Sequence, residues 1–216
     1  MQYRQIRAFL ILRITMYEIK PLNKKEVPGI SEKTMAIHHG KLYTGYVNKG
    51  NEILQKLKDL RASGKAEGNT TFSELRSLKD AETFAINGIY LHENYFDLLG
   101  GDGDWSKAPE LSAAMVKKWG SVETIVSWFS TCAMAARGWS VLCWDSKIGE
   151  LRHYNGDAHN QGGVWGCIPI IALDVYEHAY FIDHGSDRKA YIEAFWKNLD
   201  WIKAEKIYLK ARAVRL

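Results

Sequence analysis

The sequence predicts an α+β protein: an N-terminal antiparallel helical hairpin, then an α+β domain with a three-stranded antiparallel sheet flanked by helices. Helical periodicity before residue 100, a glycine-rich break at 100–104 and strand-type runs beyond it predict this order. The 216 residues, 46% hydrophobic and 25% charged, exclude a disordered chain. We expect an N-terminal extension at 1–15, a helical-hairpin domain at 16–101 and an α+β domain at 102–216.

The two predicted arms of the hairpin each carry one inward histidine. Ser31 is a candidate N-cap of one continuous helix that forms the first arm, and apolar residues at spacings of three and four place His38 on its buried face, with Tyr46 two turns later. After a polar loop, the second helix is predicted over Phe72–Leu99, with His92 facing inward. Each histidine, taken alone, is as expected for an ordinary core residue.

The second domain is predicted to mix helices and strands. Residues 100–104 lack the lysine of a phosphate-binding loop and the later glutamate of a calcium loop, which indicates a linker. The predicted helices are Ala108–Lys118, Ser121–Ala136 and one from Ala179 through Trp196. The predicted strands are Trp139–Trp144, Leu151–Tyr154 and Ile168–Leu173.

Asp174 and His178 follow the last predicted strand and lie four residues apart, so both side chains face one point on a helix or a tight turn. A carboxylate with imidazoles suits iron, manganese or zinc. An isolated pair of this kind is more often a surface ion pair, but a charge at the edge of a core needs a partner. Three histidines and one aspartate would leave a position open for a small molecule, a hypothesis on spacing alone.

The net charge and the cysteines indicate which kinds of partner and which cellular compartment to expect. The net charge of +4 is mild and the basic residues are scattered, so we expect no nucleic-acid partner, whereas a small anionic substrate would be attracted. Cys132, Cys143 and Cys167 lie far apart in apolar runs, which indicates buried, reduced thiols and a cytoplasmic location. The basic segment Met1–Thr15 is too short to span a membrane and is either a leader or an extension upstream of Met16.

Four segments resemble the motifs of iron/manganese superoxide dismutases in order and spacing, over Tyr17 to about Trp201. They are IHHGKLYTGYVN, LHENYF, ARGWSVL and LDVYEHAYFIDHGSDRKAYIEAFW. The resemblance implies a helical hairpin plus a three-stranded α+β domain, with one iron or manganese ion per subunit between them. It also implies conversion of two superoxide anions and two protons to dioxygen and hydrogen peroxide by alternate reduction and oxidation of the metal. The assembly implied is a homodimer or homotetramer, and iron and manganese both remain open.

The resemblance also implies roles for individual residues. The family's metal ligands fall on His38, His92, Asp174 and His178, with water or hydroxide as the fifth ligand. The remaining site positions fall on a proton-transfer tyrosine at Tyr46, a core tryptophan at Trp139, a glutamate that crosses the dimer interface at Glu177, and basic residues near the substrate entrance at Lys41 and Arg188.

The residue that contacts the bound solvent has two candidates in one loop. The family places a Gln or His either on the second helix, where Gly88 excludes it, or in the loop before the last strand. His159 lies fifteen residues before Asp174, the spacing of family members that use histidine, whereas aligning the Asn-Gln pair would choose Gln161. We favour His159, which leans toward iron or toward use of either metal.

Several positions depart from the family pattern. Tyr176 replaces a usual tryptophan, Leu42 a frequent gateway histidine, Phe181 a tyrosine that contacts that histidine, and Leu91 a common asparagine. The changes at Leu42 and Phe181 fit together, because each removes the other's partner. They put the proton relay across the interface in doubt and leave the metal site intact.

Two other classes of function compete with this interpretation. A zinc hydrolase could use the same three histidines and aspartate, but it needs a general base beside the open position, and Glu177 faces the wrong side of its turn. A non-catalytic binding module could keep the fold. The complete ligand set together with Tyr46 and Trp139 argues against the second alternative.

Overall fold

The computed structural model describes residues 15–215, so nearly all of the expected N-terminal extension at 1–15 lies outside the described residues. The helices are α1 (Glu32–Ile37), α2 (Thr44–Ser63), α3 (Glu74–Leu98), α4 (Pro109–Trp119), α5 (Val122–Ala135), α6 (Phe181–His184), α7 (Arg188–Lys197) and α8 (Trp201–Arg212). A π-helical segment (His38–Tyr43) joins α1 to α2, and the strands are β1 (Trp139–Asp145), β2 (Glu150–Gly156) and β3 (Cys167–Asp174).

The helical hairpin forms as predicted, with one irregularity in its first arm. Ser31 caps α1 by accepting from the Thr34 amide at 3.3 Å. The first arm was expected to be one regular α-helix, but the π segment widens it from His38 onward. The buried residues His38 and Tyr43 of this segment lie five apart, but Leu42 continues the regular spacing of four from His38, so the sequence pattern does not reveal the wider turn. The second arm begins two residues later than expected, because Ser73 is its N-cap and accepts from the Arg76 amide at 3.1 Å.

The predicted three-stranded antiparallel sheet is confirmed, with β1 in the centre and the strand order β2-β1-β3. Trp139, at the start of β1, lies opposite Gly156 of β2 and opposite Asp174 of β3. The register therefore places Trp139 and Asp174 side by side at one end of the sheet. Each strand is one to three residues longer than the apolar run that predicted it.

The prediction of one helix from Ala179 through Trp196 was wrong. Glu177–Ala179 is a short 3₁₀ turn, and α6 ends at His184, before Gly185, whose positive φ of 55° is a conformation that favours glycine. A new helix, α7, then starts at Arg188, after the N-cap Asp187, whose side chain accepts from the Ala190 amide at 3.0 Å. The last helix, α8, was not predicted.

One hydrogen-bonded asparagine joins the hairpin to the sheet. Asn94 on α3 donates to the Ile170 carbonyl at 3.2 Å and accepts from the Ala172 amide at 2.8 Å, both on β3. His92 lies two residues before Asn94, and Asp174 lies two residues after Ala172. Pinning α3 to β3 therefore brings this histidine and this aspartate together.

The thiols agree in part with the expectation of buried, unpaired cysteines. All three are free, and Cys143 is buried, but Cys132 and Cys167 are only half-buried. Among residues 15–215, no helix is both long enough and apolar enough to cross a membrane.

We expect Glu205→Ala to destabilise the fold. Glu205 is buried on α8 and accepts from the Glu110 amide at 2.9 Å and the Leu111 amide at 2.7 Å at the start of α4. Leaving these donors without an acceptor should cost about 1–3 kcal/mol of the free energy of unfolding. Chemical denaturation measures this, and Glu193→Ala, at an exposed site on α7, is the control. Equal stabilities of the two variants would contradict this capping role.

Candidate metal centre

Four side chains from four parts of the chain converge between the two halves of the molecule. One potential ligand atom from each of His38, His92, Asp174 and His178 lies within 4.8 Å of all the others. His38 opens the π segment, His92 lies in α3, Asp174 ends β3 and His178 lies in the 3₁₀ turn. The first three are fully buried, and the side chain of His178 is 27% exposed. The cluster therefore meets solvent mainly on the side of His178.

A single carboxylate oxygen forms the focus of the cluster. Asp174 Oδ2 lies 3.1 Å from His38 Nε2, 3.4 Å from His92 Nε2 and 3.2 Å from His178 Nε2. The other oxygen, Oδ1, accepts from the Tyr176 amide at 2.9 Å, which fixes the plane of the carboxylate. Three imidazole nitrogens and one carboxylate oxygen therefore face the same small space.

The tautomer of His92 is set by its helix. Its Nδ1 lies 2.6 Å from the Gly88 carbonyl oxygen, which can only accept, so Nδ1 carries the proton. In the neutral ring Nε2 then holds a lone pair, and it has no hydrogen-bond partner among residues 15–215. Burial is the largest cause of the pKa shift of His92 and lowers its pKa to about 3, so the ring is neutral at neutral pH. A lone pair therefore faces the Asp174 carboxylate with no proton between them.

The lone pairs of His92 Nε2 and Asp174 Oδ2, which face each other, indicate whether these residues fit a metal ion. Two acceptors in a buried space repel unless a cation lies between them. The donor set of three nitrogens and one hard oxygen suits a first-row transition metal, and burial excludes competing water. The residues present therefore fit one iron or manganese ion.

The charges around Asp174 hold it ionised. Burial alone would raise the pKa of Asp174, but the charge and hydrogen bond of His178 and the hydrogen bond of His38 outweigh burial, and the pKa lies below its usual range. Burial lowers the pKa of His38 despite Asp174. For His178, which is less buried, Asp174 outweighs burial and raises the pKa. The cluster thus has one fixed negative charge.

His159 lies against the cluster and is held there by Trp139. The indole Nε1 of Trp139 donates to His159 Nδ1 at 2.8 Å, so in the neutral ring the proton of His159 lies on Nε2. That Nε2 is buried without a partner among the described residues. The residue is 5% exposed, and burial lowers its pKa to about 4. His159 therefore presents an unused N–H donor 5.6 Å, ring to ring, from His92.

Tyr46 packs on the same histidines, and Gly88 makes room for it. The Tyr46 ring lies 5.2 Å from the His92 ring and 4.7 Å from the His159 ring. A Cβ atom on Gly88 would lie 3.0 Å from Tyr46 Cγ and 3.3 Å from His159 Cδ2, closer than comfortable packing allows. Burial raises the pKa of Tyr46 to about 12, so its hydroxyl keeps its proton at neutral pH.

The other predicted site residues lie further out. Gln161 is exposed, and its amide closes a turn on the Ala158 carbonyl at 3.2 Å, so its side chain is not part of the cluster. Glu177 is exposed beside His178. Lys41 is exposed and lines, together with Tyr46, a groove of about 650 Å³ between α2 and α3.

Arg188 has structural contacts of its own. Its Nη1 donates to the Ala136 carbonyl at 2.8 Å, beyond the end of α5, and its Nε donates to the Tyr180 hydroxyl at 3.2 Å. The guanidinium also lies 5.6 Å from the centre of the Tyr180 ring. These contacts join the start of α7 to the end of α5 and hold Arg188 against Tyr180.

Sequence reasoning missed the support of the Asp174 backbone. The Tyr191 hydroxyl donates to the Asp174 carbonyl at 2.6 Å and lies 3.1 Å from the Tyr95 hydroxyl. Both tyrosines are fully buried. Their apolar surroundings predict core positions, and only the need of a buried hydroxyl for a partner hints at a polar role.

The comparisons with known proteins agree with this geometry. Residues 17–100 match the family model of iron/manganese superoxide dismutases, alpha-hairpin domain, and residues 107–207 match that of the C-terminal domain. The chain belongs to the iron/manganese superoxide dismutase family. As a member of this family it is an oxidoreductase, and the family reaction is the dismutation of superoxide.

Relatives of both metal types are similar to the chain over most of its length. A superoxide dismutase [Fe] from Aquifex pyrophilus is 39% identical over 195 residues, 89% of this chain and 89% of the relative. A superoxide dismutase [Fe] from Aquifex aeolicus is 37% identical, over 91% of this chain and 93% of the relative. A superoxide dismutase [Mn] from Haloarcula marismortui is 34% identical, over 85% and 88%. Membership of the family makes a zinc hydrolase the weaker interpretation, and the cluster holds no second carboxylate to act as a base.

We expect Gly88→Ala to lack the gain in stability that a glycine-to-alanine change usually gives inside a helix. Replacing glycine by alanine inside a helix stabilises it by about 1 kcal/mol, but here the new methyl group presses on Tyr46 and His159. Gly45→Ala on α2 is the matched control, because a Cβ there meets nothing within 4 Å. Denaturant unfolding compares the two variants, and an equal gain in both would contradict the crowding at Gly88.

Proposed function

We propose that this dismutase holds one iron or manganese ion through His38, His92, Asp174 and His178 and uses Tyr46 and His159 to manage protons beside it. The observation that carries the proposal is the lone pair of His92 Nε2 facing Asp174 Oδ2 without a proton. When bound, the metal supplies one-electron chemistry, alternating between its trivalent and divalent states. Over one cycle, two superoxide anions and two protons give one dioxygen and one hydrogen peroxide.

The charges of the four ligands affect both the attraction of the anionic substrate and the retention of the metal. Asp174 contributes one negative charge, and the imidazoles of His38 and His92, whose pKa values are lowered by burial, are neutral ligands. A di- or trivalent ion would therefore leave the site with a net positive charge. A positive site attracts a small anion, while the buried carboxylate and the fixed tautomer of His92 hold the ligands in position.

His159 and Tyr46 are the proposed proton-handling pair. His159 Nε2–H is a buried donor with no partner among the described residues, and its tautomer is fixed by Trp139. The raised pKa of Tyr46 keeps its hydroxyl protonated, so it can donate toward the site and be reprotonated from the groove that it lines. The exposed side chain of Gln161 makes His159 the better candidate.

Lys41 is proposed to stand at the substrate entrance. It lines the groove that leads to Tyr46, and Lys49 and Lys56 line the same groove. Lys49 and Lys56 are both ion-paired with Glu52, and Asp80 also lines the groove, so the charge of Lys41, unpaired among the described residues, is the one that would raise the local concentration of an anion. Arg188 remains a prediction for the entrance, because its contacts with Ala136 and Tyr180 already give it a packing role.

We also propose that the chain works as a homodimer or homotetramer in the cytoplasm. Phe181 and Ile182, which are 55% and 44% exposed, form an apolar surface a few residues from Glu177. A self-complementary contact there would cover this surface and bring Glu177 to a histidine of a second copy. The three free thiols support a reducing compartment.

We expect Asp174→Ala to abolish metal retention. Removing the only carboxylate of the cluster leaves three neutral nitrogens, and affinity should fall by more than about 100-fold, beyond the loss caused by removing a residue that only supports a ligand. Elemental analysis of the purified variant measures occupancy, with Asp59→Ala, an exposed aspartate-to-alanine change on α2, as control. Full occupancy of the Asp174 variant would refute the ligand assignment.

Separate reconstitution of the apoprotein with iron, manganese and zinc tests the function and the cofactor together. We expect superoxide-dismutating activity with iron, with manganese or with both, and none with zinc, because zinc has no accessible redox change. Activity is normalised to the measured metal content. Absence of activity at full iron and full manganese occupancy would refute the proposed reaction while leaving the fold intact.

A further inference from the structure

His159 is carried by a tight turn outside the helices and strands. The Gln161 amide donates to the Ala158 carbonyl at 3.2 Å, so His159 and Asn160 are the two central residues of the turn. A residue on a loop is positioned less accurately than one on a helix or strand unless other contacts fix the loop. The bond from Trp139 fixes the ring of His159 but not the backbone that carries it.

Two glycines allow the turn to pack closely against the end of β2. A Cβ atom on Gly162 would lie 2.1 Å from the Asn155 carbonyl oxygen, and one on Gly156 would lie 2.9 Å from the Gln161 carbonyl oxygen. The φ of +86° at Gly162 also lies in the left-handed region that favours glycine. The turn is therefore tightly packed on the sheet side.

On its other side the turn is bonded to α3 of the helical hairpin. Asn160 Nδ2 lies 3.1 Å from Thr83 Oγ1 and 3.2 Å from Asp80 Oδ1. Thr83 Oγ1 donates to the Asp80 carbonyl at 3.0 Å, which leaves its lone pairs free to accept from Asn160. One turn of α3 thus receives the donor of Asn160.

The next residue of the same helix contacts the histidine itself. The Phe84 ring lies 4.5 Å from the His159 ring at an interplanar angle of 53°, and 6.0 Å from the Tyr46 ring. A single helical turn of α3 therefore contacts both residues, Asn160 by hydrogen bonds and His159 by ring packing.

We propose that Asp80, Thr83, Phe84 and Asn160 form a positioning cluster that sets the distance of His159 Nε2 from the metal-binding histidines. None of the four touches the converging ligands, so they are positioning residues that act through His159. The inference rests on the proposed function, because the position of His159 matters only if it faces a redox metal. A group hydrogen-bonding near a metal tunes its potential, so a displaced His159 changes that potential.

The test uses Asn160→Asp in the metal-loaded protein. The variant keeps the size of the side chain, removes its donor and places a second carboxylate opposite Asp80. Hydrogen exchange of residues 157–163 should become about three- to tenfold faster, the factor for losing one net hydrogen bond. The reduction potential of the metal should shift in the same direction as in His159→Ala and by less.

Three further proteins make the result specific. The double variant Asp80→Asn/Asn160→Asp exchanges donor and acceptor between residues 80 and 160, and the Thr83 hydroxyl can turn to donate to the new carboxylate, so both readouts should return toward their wild-type values. Asn160→Asp should add no shift in potential to His159→Ala. Asn23→Asp is the matched control and should change neither readout, because Asn23 Nδ2 makes the same kind of exposed bond, 3.1 Å to Asp97 Oδ1, near the other end of α3.

Three outcomes overturn the proposal. Unchanged exchange in Asn160→Asp means that the cluster does not hold the turn. Faster exchange with an unchanged potential means that the bonds only stabilise the fold. A shift that persists in the His159→Ala background means that the new charge acts directly on the metal. A wild-type protein that takes up neither metal refutes the proposed function instead, and the exchange measurement still decides whether α3 holds the turn.

Discussion

The structure depends on one buried carboxylate, that of Asp174, surrounded by three imidazoles. An ion taken out of water costs several kcal/mol unless hydrogen bonds and opposite charge compensate it. Here the Tyr176 amide satisfies one oxygen, and the other oxygen is the point on which His38, His92 and His178 converge. Because the proton of His92 is committed to the Gly88 carbonyl, hydrogen bonds alone cannot complete this compensation, and a cation is required.

The rest of the fold serves to deliver these groups to one point. Asn94 bonds α3 to β3, and the antiparallel register sets Trp139 directly opposite Asp174. The buried hydroxyl of Tyr191 holds the Asp174 carbonyl and so fixes the end of the strand. The two halves of the molecule therefore do not merely pack together. Each supplies ligands that are positioned by bonds to the other half.

The predictable parts of this protein are those that repeat or that lie close in the sequence. Helical periodicity turned His38 and His92 inward, and a spacing of four at the end of an apolar run paired Asp174 with His178. The family resemblance supplied Tyr46, Trp139 and the choice between His159 and Gln161. The π segment at His38–Tyr43 was missed because Leu42 continues the regular spacing of four from His38, although Tyr43 is the buried residue. The break between α6 and α7 was missed although Gly185 and the N-cap Asp187 mark it in the sequence. Asn94 and Asn160 escaped because bonds between distant segments leave no periodic trace.

The absence of a side chain at Gly88 affects how the protein sets the reactivity of the metal. A side chain on α3 would belong to the helix that carries His92, whereas His159 reaches the same space from a turn that follows β2 and is held between the sheet and α3. Gly88 is required for this arrangement, because a methyl group there would press on both Tyr46 and His159. On the proposed function, the proton donor beside the metal and one of the metal ligands thus belong to different halves of the molecule. Any change in how the hairpin packs on the sheet would then alter the distance between them, so the packing of the two halves becomes part of what sets the reactivity of the metal.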